Sequence, residues 1–265
     1  MKGGEKMKHK YFKNITSTSA DFYVYGNIVD EKEADWFTGE VSKTEVDTLD
    51  MQEELSNLQG ITDLNIYINS AGGSVFASSA IVSMLNRFRE NTGTKIHGFI
   101  DGLCASAATY LLMVADDINI YKNSIMMIHK PMTFSMGNAN DLQKDIDTLN
   151  TIEDDMMIPM YLNKSKCKKK ELKDLINNET WFNGNKEDDN YIGNYFNVNY
   201  LDEAKEVTAC VSKELFKNYK NVPDIFKKMS NVKQEPKQQE NVVEPQNIDY
   251  SYFEDKLKSI KNKED

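Results

Sequence analysis

Ser106 is the residue whose type and position first suggest chemistry. It lies in the apolar run DGLCASAATYLLMVA (101–115), between a predicted strand and a predicted helix. The free amides and the positive dipole end of a helix start favour nearby negative charge, which suits the oxyanion formed in acyl transfer to a serine. The run contains no G-x-S-x-G elbow, so a small buried residue or a helix N-cap is an alternative interpretation.

A histidine is the usual base for a serine nucleophile, because neutral imidazole accepts a proton near pH 7. Of the three histidines, His9 lies in a polar N-terminal stretch and His97 lies inside the predicted strand KIHGFI. His129 ends the apolar run IMMIH and directly precedes Lys130 and Pro131. It is therefore the candidate base, although a structural role fits its position equally well.

Paired glycines in NSAGGSV (69–75) stand between another predicted strand and helix. Such a turn lets a ligand approach the backbone and presents amide donors to it. Phosphate binding is the rival use of such amides. The run matches neither G-x-x-x-x-G-K-[ST] nor G-x-G-x-x-G, so nucleotide binding receives little weight.

Hydrophobic periodicity predicts strands that alternate with helices. The predicted strands are 20–29, 64–70, 95–101, 118–121 and 125–129, and the predicted helices are 46–58, 75–89, 106–116, 140–161 and 169–176. This order predicts an α/β fold with parallel strands and helices on both faces of the sheet. Ligands of such sheets bind beyond the carboxyl ends of the strands, where Ser106 and the glycine turn both fall.

The predicted 140–161 helix has an apolar stripe that requires a partner, either within the subunit or from a neighbour. Pro159 is expected to kink its last turn or to end it early. Residues 221–247 carry proline among Lys, Gln, Glu and Asn, which predicts a linker. The final SYFEDKLKSIKNKED (251–265) predicts a short terminal helix.

Composition excludes several function classes. A formal net charge of −10 and a pI near 5.0 argue against general binding to nucleic acid or an anionic membrane. The basic run KSKCKKK (164–170) is interpreted as a solvated helix start rather than a nucleic-acid patch. The three cysteines, Cys104, Cys167 and Cys210, predict neither a disulfide framework nor a zinc site. No apolar run suggests a membrane span or a signal peptide, so we expect a cytoplasmic protein. We also expect no metal or cofactor.

Five blocks in fixed order resemble the ClpP-type serine endopeptidases of the crotonase-like fold class, and especially their bacteriophage head-maturation (prohead) branch. The blocks are YINSAGGSVFASSAIVSML, IDGLCASAATYLLMVAD, NSIMMIHKPMT, GNANDLQKDIDTLNTIE and NNETWF. The resemblance covers roughly residues 20–205. It implies a ClpP-like domain there, with a flexible 1–19 segment before it and a charged linker and tail at 206–265.

The resemblance also implies a catalytic triad. Ser106 matches the family nucleophile, His129 the general base and Glu179 the acidic third position, where aspartate is common. Glutamate is one methylene longer but can still accept the imidazole N–H and hold its tautomer. Asp174 and Asp188 are the alternative acids.

The glycine turn gains a role from the same resemblance. The amides of Gly73 and Ala107 are expected to form the oxyanion hole. Gly72, Ser74 and Pro131 are expected to contact a substrate peptide that binds as an added strand.

Assembly and function are implied in the same way. The resemblance predicts homo-oligomeric rings, hexameric or heptameric and stacked through a handle helix near 142–160, that act on protein substrates. The leading hypothesis is an ATP-independent endopeptidase that trims phage capsid, portal or scaffold proteins, because residues 1–19 lack the apolar hairpin expected where an unfoldase docks. The alternatives are a Clp peptidase with an ATP-dependent unfoldase, a catalytically inactive ring component, and an acyl-CoA enzyme of the crotonase group.

Overall fold

The computed structural model describes residues 10–32, 45–201 and 219–222, which all belong to one unit, Met1–Lys227. The predicted linker and terminal helix lie outside the described residues, apart from Asn221 and Val222. Most of the 206–265 tail, and residues 1–9 of the N-terminal segment, lie outside them as well.

Ten strands and six α-helices are present in the described ranges. The strands are β1 (Phe12–Lys13), β2 (Ser19–Tyr25), β3 (Asn27–Val29), β4 (Glu45–Asp47), β5 (Asp63–Ser70), β6 (Lys95–Ala105), β7 (Asp117–Tyr121), β8 (Ile125–Ile128), β9 (Thr180–Asn183) and β10 (Asn199–Leu201). The helices are α1 (Thr48–Ser56), α2 (Val75–Thr92), α3 (Ala108–Met113), α4 (Ala139–Thr151), α5 (Ile158–Leu162) and α6 (Lys169–Asn177). A π-helical turn, Ile152–Met157, joins α4 to α5, and a 3₁₀ turn covers Ile192–Asn194.

The main sheet has the order β1-β2-β5-β6-β7-β10. Neighbours from β2 to β10 run parallel, and β1 is antiparallel to β2. Helices α1, α2 and α3 lie in the connections between successive parallel strands. The predicted mixed α/β class with parallel crossover units is confirmed. Strands β3 and β4 form a separate parallel pair.

A bulge in β6 turns its second half away from the main sheet. Pairing with β5 advances from Ile68 opposite Ile100 to Ser70 opposite Cys104, so four steps along β6 match two along β5. Beyond the bulge β6 pairs with β8 instead of β7, and β8 pairs antiparallel with β9. This second arm places the carboxyl ends of β6 and β8 and the start of β9 side by side.

Burial alternates along the strands of the main sheet, because successive side chains point to opposite faces. On the buried face, Phe22 and Val24 of β2 are fully enclosed. The other face carries a stacked row of half-buried rings, Tyr23, Tyr67 and Phe99, with centroids 5.1 and 4.8 Å apart. We expected helices on both faces, and on this face of β2, β5 and β6 that expectation stays a prediction.

Helices α2 and α3 cover the buried face. Helix α2 begins at the N-cap Ser74 and ends at Gly93, whose φ of 72° is readily adopted by glycine. All six residues of α3 are buried, and a Cβ on Gly98 of β6 would lie 2.9 Å from Leu112 of α3. The predicted 106–116 helix is therefore buried as expected but begins two residues later, because Ser106 and Ala107 form the turn.

The predicted long helix is present as α4, the π turn and α5. The Ile158 amide donates to the carbonyl of Glu153, five residues earlier, and Pro159 follows in the first turn of α5, where its missing N–H is tolerated. The early end considered for Pro159 is not found, since the helix continues to Leu162. No residue of α4 is buried, and Leu142 and Ile146 are 40% and 50% exposed.

Candidate active site

Ser106 lies on a sharp turn between β6 and α3. Its φ of 54° is in the left-handed region, which a residue with a Cβ adopts only when its surroundings hold it there. The Ser106 amide donates to the carbonyl of Met127 on β8 at 2.9 Å. The side chain is thereby projected from the end of the strand, although the sequence lacks a G-x-S-x-G elbow.

Two buried hydroxyl groups support this turn from behind. The Thr109 hydroxyl donates to the carbonyl of Ser106 at 2.6 Å. The Tyr161 hydroxyl lies 2.5 Å from the same Thr109 oxygen, and it is the donor because the Thr109 proton is already used. Helix α5 therefore contributes to the position of Ser106 through one bridging side chain.

His129 directly follows β8, the parallel neighbour of the second half of β6. Because Ala105 is opposite Met127 in this pairing, the residues just beyond both strands are adjacent. His129 Nε2 lies 2.7 Å from Ser106 Oγ. Burial lowers the pKa of His129, and the charge of Glu179 opposes that shift. A mostly neutral imidazole at pH 7 can accept the serine proton, with its own proton on Nδ1.

Glu179 lies between α6 and β9, and β9 places it beside His129 because Thr180 is opposite Ile128. Its φ is 49°, again in the left-handed region. The carboxylate is buried and accepts hydrogen bonds from Trp181 Nε1 at 3.3 Å and from the amides of Lys220 and Asn221 at 2.9 and 2.7 Å. Among the described residues no hydrogen bond joins Glu179 to His129, and the two interact through charge.

The alternative acids lie elsewhere. Asp174 is exposed on α6, and the Asp188 carboxylate accepts the amide of Asn190 within its own loop at 2.8 Å. Neither contributes to the pKa of His129, whereas Glu179 does. The structure therefore brings Glu179, and neither aspartate, to the histidine.

Both glycines of the turn are required by close backbone contacts. Gly72 has φ 104°, and a Cβ on it would lie 2.8 Å from Ser106 Cβ. Gly73 has φ 145°, and a Cβ there would lie 2.1 Å from the carbonyl oxygen of Ile28 on β3. A side chain at either position would displace the turn from Ser106 or from β3.

Two amides at this turn are left without acceptors. The amides of Gly73 and Ala107 donate to no group in the described part of the chain, whereas the Gly72 amide donates to Ser70 Oγ at 3.1 Å. Hydrogen bonds from Ile28 to Gly72 and from Ser74 to Ile28 flank Gly73, so its own N–H points away from β3. The oxyanion role of Gly73 and Ala107 stays a prediction, and both donors are available for it.

The predicted substrate contacts have different surroundings. Gly72 touches Ser106, as described. The Ser74 hydroxyl accepts the amide of Ala77 at 3.1 Å and so caps α2. Pro131 is half-buried and lies in a segment without secondary structure, in which Met132 is 55% exposed and Phe134 fully exposed. Substrate binding by these residues stays a prediction.

The segment Tyr219–Val222, which was predicted to belong to the tail, lies against the site. The Tyr219 ring contacts the rings of His129 and Trp181, with centroid distances of 5.4 and 5.8 Å. Its hydroxyl donates to the carbonyl of Ala71 at 2.6 Å. These four residues show no periodic pattern, so no local signal could have connected them with a site far back in the chain.

The described ranges lack two further kinds of feature. They contain no group of three or more His, Cys, Asp or Glu side chains placed to hold a metal ion. They also contain no helix with the length and apolar character needed to cross a membrane.

A serine and a histidine in contact at a strand-to-helix turn, beside a glycine backbone, form the geometry of α/β proteins with a serine-hydrolase site. Comparison with known proteins gives the family. A family model described as Clp protease matches residues 25–191, more than half of the chain, and the chain therefore belongs to the Clp protease family.

A curated relative agrees with this assignment over a shorter stretch. The "ATP-dependent Clp protease proteolytic subunit" of Bacteroides thetaiotaomicron is 34% identical to the chain over 83 residues. These residues make up 31% of the chain and 36% of the relative. The chain thus matches about a third of that relative's length.

Proposed function

We propose that this chain is a serine endopeptidase that hydrolyses peptide bonds through an acyl-enzyme on Ser106. The observation that carries the proposal is the 2.7 Å contact between Ser106 Oγ and His129 Nε2 at the end of adjacent strands. Membership of the Clp protease family supports it independently. The same contact argues against an inactive ring component, which has no need for a nucleophile paired with a base.

Ser106 acts as the nucleophile and His129 as the general base and acid in both steps of the reaction. His129 removes the Ser106 proton while Oγ attacks the peptide carbonyl, and the imidazolium then protonates the leaving amine. Water, deprotonated by the same imidazole, attacks the acyl-enzyme, and the acid product leaves as Ser106 regains its proton. The Gly73 and Ala107 amides donate to the oxyanion in both steps.

Glu179 has an electrostatic role in this scheme. Its charge favours the imidazolium that forms during each proton transfer, in agreement with its effect on the pKa of His129. The hydrogen-bond donors that fix this carboxylate therefore influence catalysis directly.

A multimeric state completes the proposal. Helix α4 carries Leu142 and Ile146 exposed, and Met136 in the preceding segment is fully exposed. Exposed apolar side chains on one continuous stretch favour a protein–protein interface. We therefore infer a homo-oligomeric ring, hexameric or heptameric, in which α4 contacts another subunit.

The biological role that we propose is ATP-independent cleavage of capsid, portal or scaffold proteins during phage head maturation, in the host cytoplasm. The five sequence blocks support this role. The second candidate is a peptidase that works with an ATP-dependent unfoldase, which the name of the Bacteroides relative favours.

Cleavage assays separate these candidates. The purified full chain is incubated without ATP with fluorogenic peptides, with casein, and with capsid and scaffold proteins encoded in the same genome. We expect cleavage of peptides and of the head proteins, with kcat reduced on the order of 10⁶-fold in Ser106→Ala, as in other serine proteases. Cleavage of peptides alone would favour the unfoldase alternative, and undiminished cleavage by Ser106→Ala would overturn the proposed function.

A further inference from the structure

The segment Tyr219–Val222 lies beyond residues 25–191, the part of the chain that matches the family. It nevertheless contacts the proposed acid, the proposed base and the glycine turn. Val222 is buried with Ala71, Leu103 and Trp181 in a small apolar cluster, separate from the main core. The segment is therefore packed into the site rather than lying loosely over it.

Backbone amides of this segment fix the carboxylate of Glu179. The amide of Lys220 donates to Oε2 at 2.9 Å, and the amide of Asn221 donates to Oε1 at 2.7 Å. Hydrogen bonds to a charged acceptor are about twice as strong as neutral ones, and a pair of them on two oxygens sets the carboxylate plane. The Asn221 side chain also donates to the carbonyl of Asn178, which ties the segment to the residue preceding Glu179.

Tyr219 contacts both the histidine and the glycine turn through its side chain. The two rings are nearly perpendicular, at 86°, with centroids 5.4 Å apart, so Tyr219 limits the rotation of the imidazole. The hydroxyl of Tyr219 donates to the carbonyl of Ala71, the residue before Gly72, at 2.6 Å. One side chain thus connects the base with the backbone that is expected to bind the oxyanion.

We propose that Tyr219, Lys220 and Asn221 form a positioning element that completes the active site by holding Glu179 and His129 in their working orientation. The inference rests on the proposed function. The docked segment leaves the Ser106–His129 hydrogen bond in place and leaves the Gly73 and Ala107 amides available. The Tyr219 hydroxyl also interacts with the Ser106 side chain, which lowers the pKa of this tyrosine against the larger effect of burial.

The test uses the full chain and two matched pairs of variants. Tyr219→Ala removes the ring, and Lys220→Ala removes an exposed side chain while keeping the amide that binds Glu179. Asn221→Pro removes the amide that binds Oε1, whereas Asn221→Ala keeps it. Each variant is assayed for kcat and KM with a fluorogenic peptide across pH, and folding is checked by circular dichroism and thermal melting.

We expect Tyr219→Ala and Asn221→Pro to lower kcat by about 10- to 100-fold with little change in KM, since misplaced catalytic groups cost rate rather than binding. Lys220→Ala and Asn221→Ala keep the backbone amides that bind Glu179, so each should lower kcat less than the variant it is paired with. Asn221→Ala also loses the side-chain hydrogen bond to the carbonyl of Asn178. In Tyr219→Ala the acid limb of kcat/KM should move to higher pH, because an uncovered His129 is more easily protonated. The groups that interact with His129 are the Glu179 charge and Tyr219 itself, whose pKa burial raises to about 12, so the phenol stays neutral.

Equal kcat values and equal acid limbs in Tyr219→Ala and Lys220→Ala would overturn the inference. A faster rate in Tyr219→Ala would overturn it as well, because it would indicate a segment that blocks the site. If Tyr219→Ala does not fold, Asn221→Pro against Asn221→Ala decides by the same measurements. An unmodified chain that neither cleaves peptides nor reacts with a serine-directed probe would defeat the proposed function instead.

Discussion

Two residues of the proposed triad share an unusual backbone conformation. Ser106 and Glu179 have φ values of 54° and 49°, and Asn14 is the other non-glycine residue with positive φ in the described ranges. Each such residue costs of order 1–3 kcal/mol, which the surrounding structure must offset. At Ser106 the supports are Met127 and Thr109, and at Glu179 they are the amides of Lys220 and Asn221. Strain at these positions agrees with a functional rather than a packing role.

The pH dependence of the reaction follows from the surroundings of His129. Burial lowers its pKa from the ordinary value of 6.5 more strongly than Glu179 raises it. The base must be neutral, so activity is lost as pH falls through the lowered pKa. We expect the acid limb of kcat/KM to have its midpoint below pH 6.5, and Glu179→Gln to move it lower still because the opposing charge is gone. A midpoint above that value would contradict the assigned environment.

Thr109 offers a test of the support behind the nucleophile. Thr109→Val keeps the shape but leaves the Ser106 carbonyl and the buried Tyr161 hydroxyl without their partner. We expect a loss of about 1–3 kcal/mol in the free energy of unfolding, measured in urea, and a lower kcat. The control is Thr148→Val on α4, where the hydroxyl is exposed. Equal effects of the two changes would show that Thr109 supports nothing specific.

At the scale of single residues, chemistry and position along the chain predicted a serine and a histidine that the structure brings into contact. Both follow strands of the sheet, and parallel strands bring their carboxyl ends together. Tyr219 could not be predicted in this way. It approaches Ala71 across 148 positions of sequence, and such a contact depends on packing rather than on any local pattern.

Among the elements, the strands and helices with strong periodicity were predicted within a few residues, and the irregular ones were missed. At the bulge in β6 the Leu103 amide donates to Asn69 Oδ1 of β5, and periodicity does not describe such a contact between strands. The π turn before Pro159 was also missed, because it depends on the packing of buried Ile152 and Met157. The bulge helps to form the arm that carries the site.

The edge of the sheet depends on one buried carboxylate. Glu54 of α1 accepts the amides of Lys10, Tyr11 and Phe12 at distances of 2.7 to 3.3 Å and so holds β1 in place. We expect Glu54→Ala to lower the free energy of unfolding by about 2–3 kcal/mol, since buried amides lose a charged acceptor.

Urea unfolding of Glu54→Ala should be compared with Glu53→Ala. Glu53 is exposed on the same helix and its removal should have little effect. Unchanged stability in Glu54→Ala would show that β1 is held by its aromatic contacts alone.

For the whole molecule, the exposed face of α4 predicts association. Ile146→Asp places a charge on that face, and we expect it to reduce the molar mass measured by sedimentation velocity to that of smaller species. Lys144→Gln, a polar change on the same helix, is the control and should leave the assembly intact. A chain that is already monomeric at micromolar concentration would contradict the ring.

The fold class was predictable at this scale because alternation of strands and helices leaves few topologies. What covers the sheet could not be predicted, because the aromatic residues Tyr23, Tyr67 and Phe99 resemble the buried face of a strand in sequence. Alternate residues of these strands proved half-buried instead. Apolar content therefore indicated the sheet without indicating what covers it.

The central claim, that Ser106 is a nucleophile activated by His129, is tested most directly by covalent labelling. The full chain is treated with a fluorophosphonate probe, digested, and mapped by mass spectrometry. We predict a single adduct on Ser106 that disappears in His129→Ala while Lys130→Ala, a change at the next residue, still labels. An adduct on another residue, or equal labelling of Ser106 after loss of the imidazole, would contradict the account.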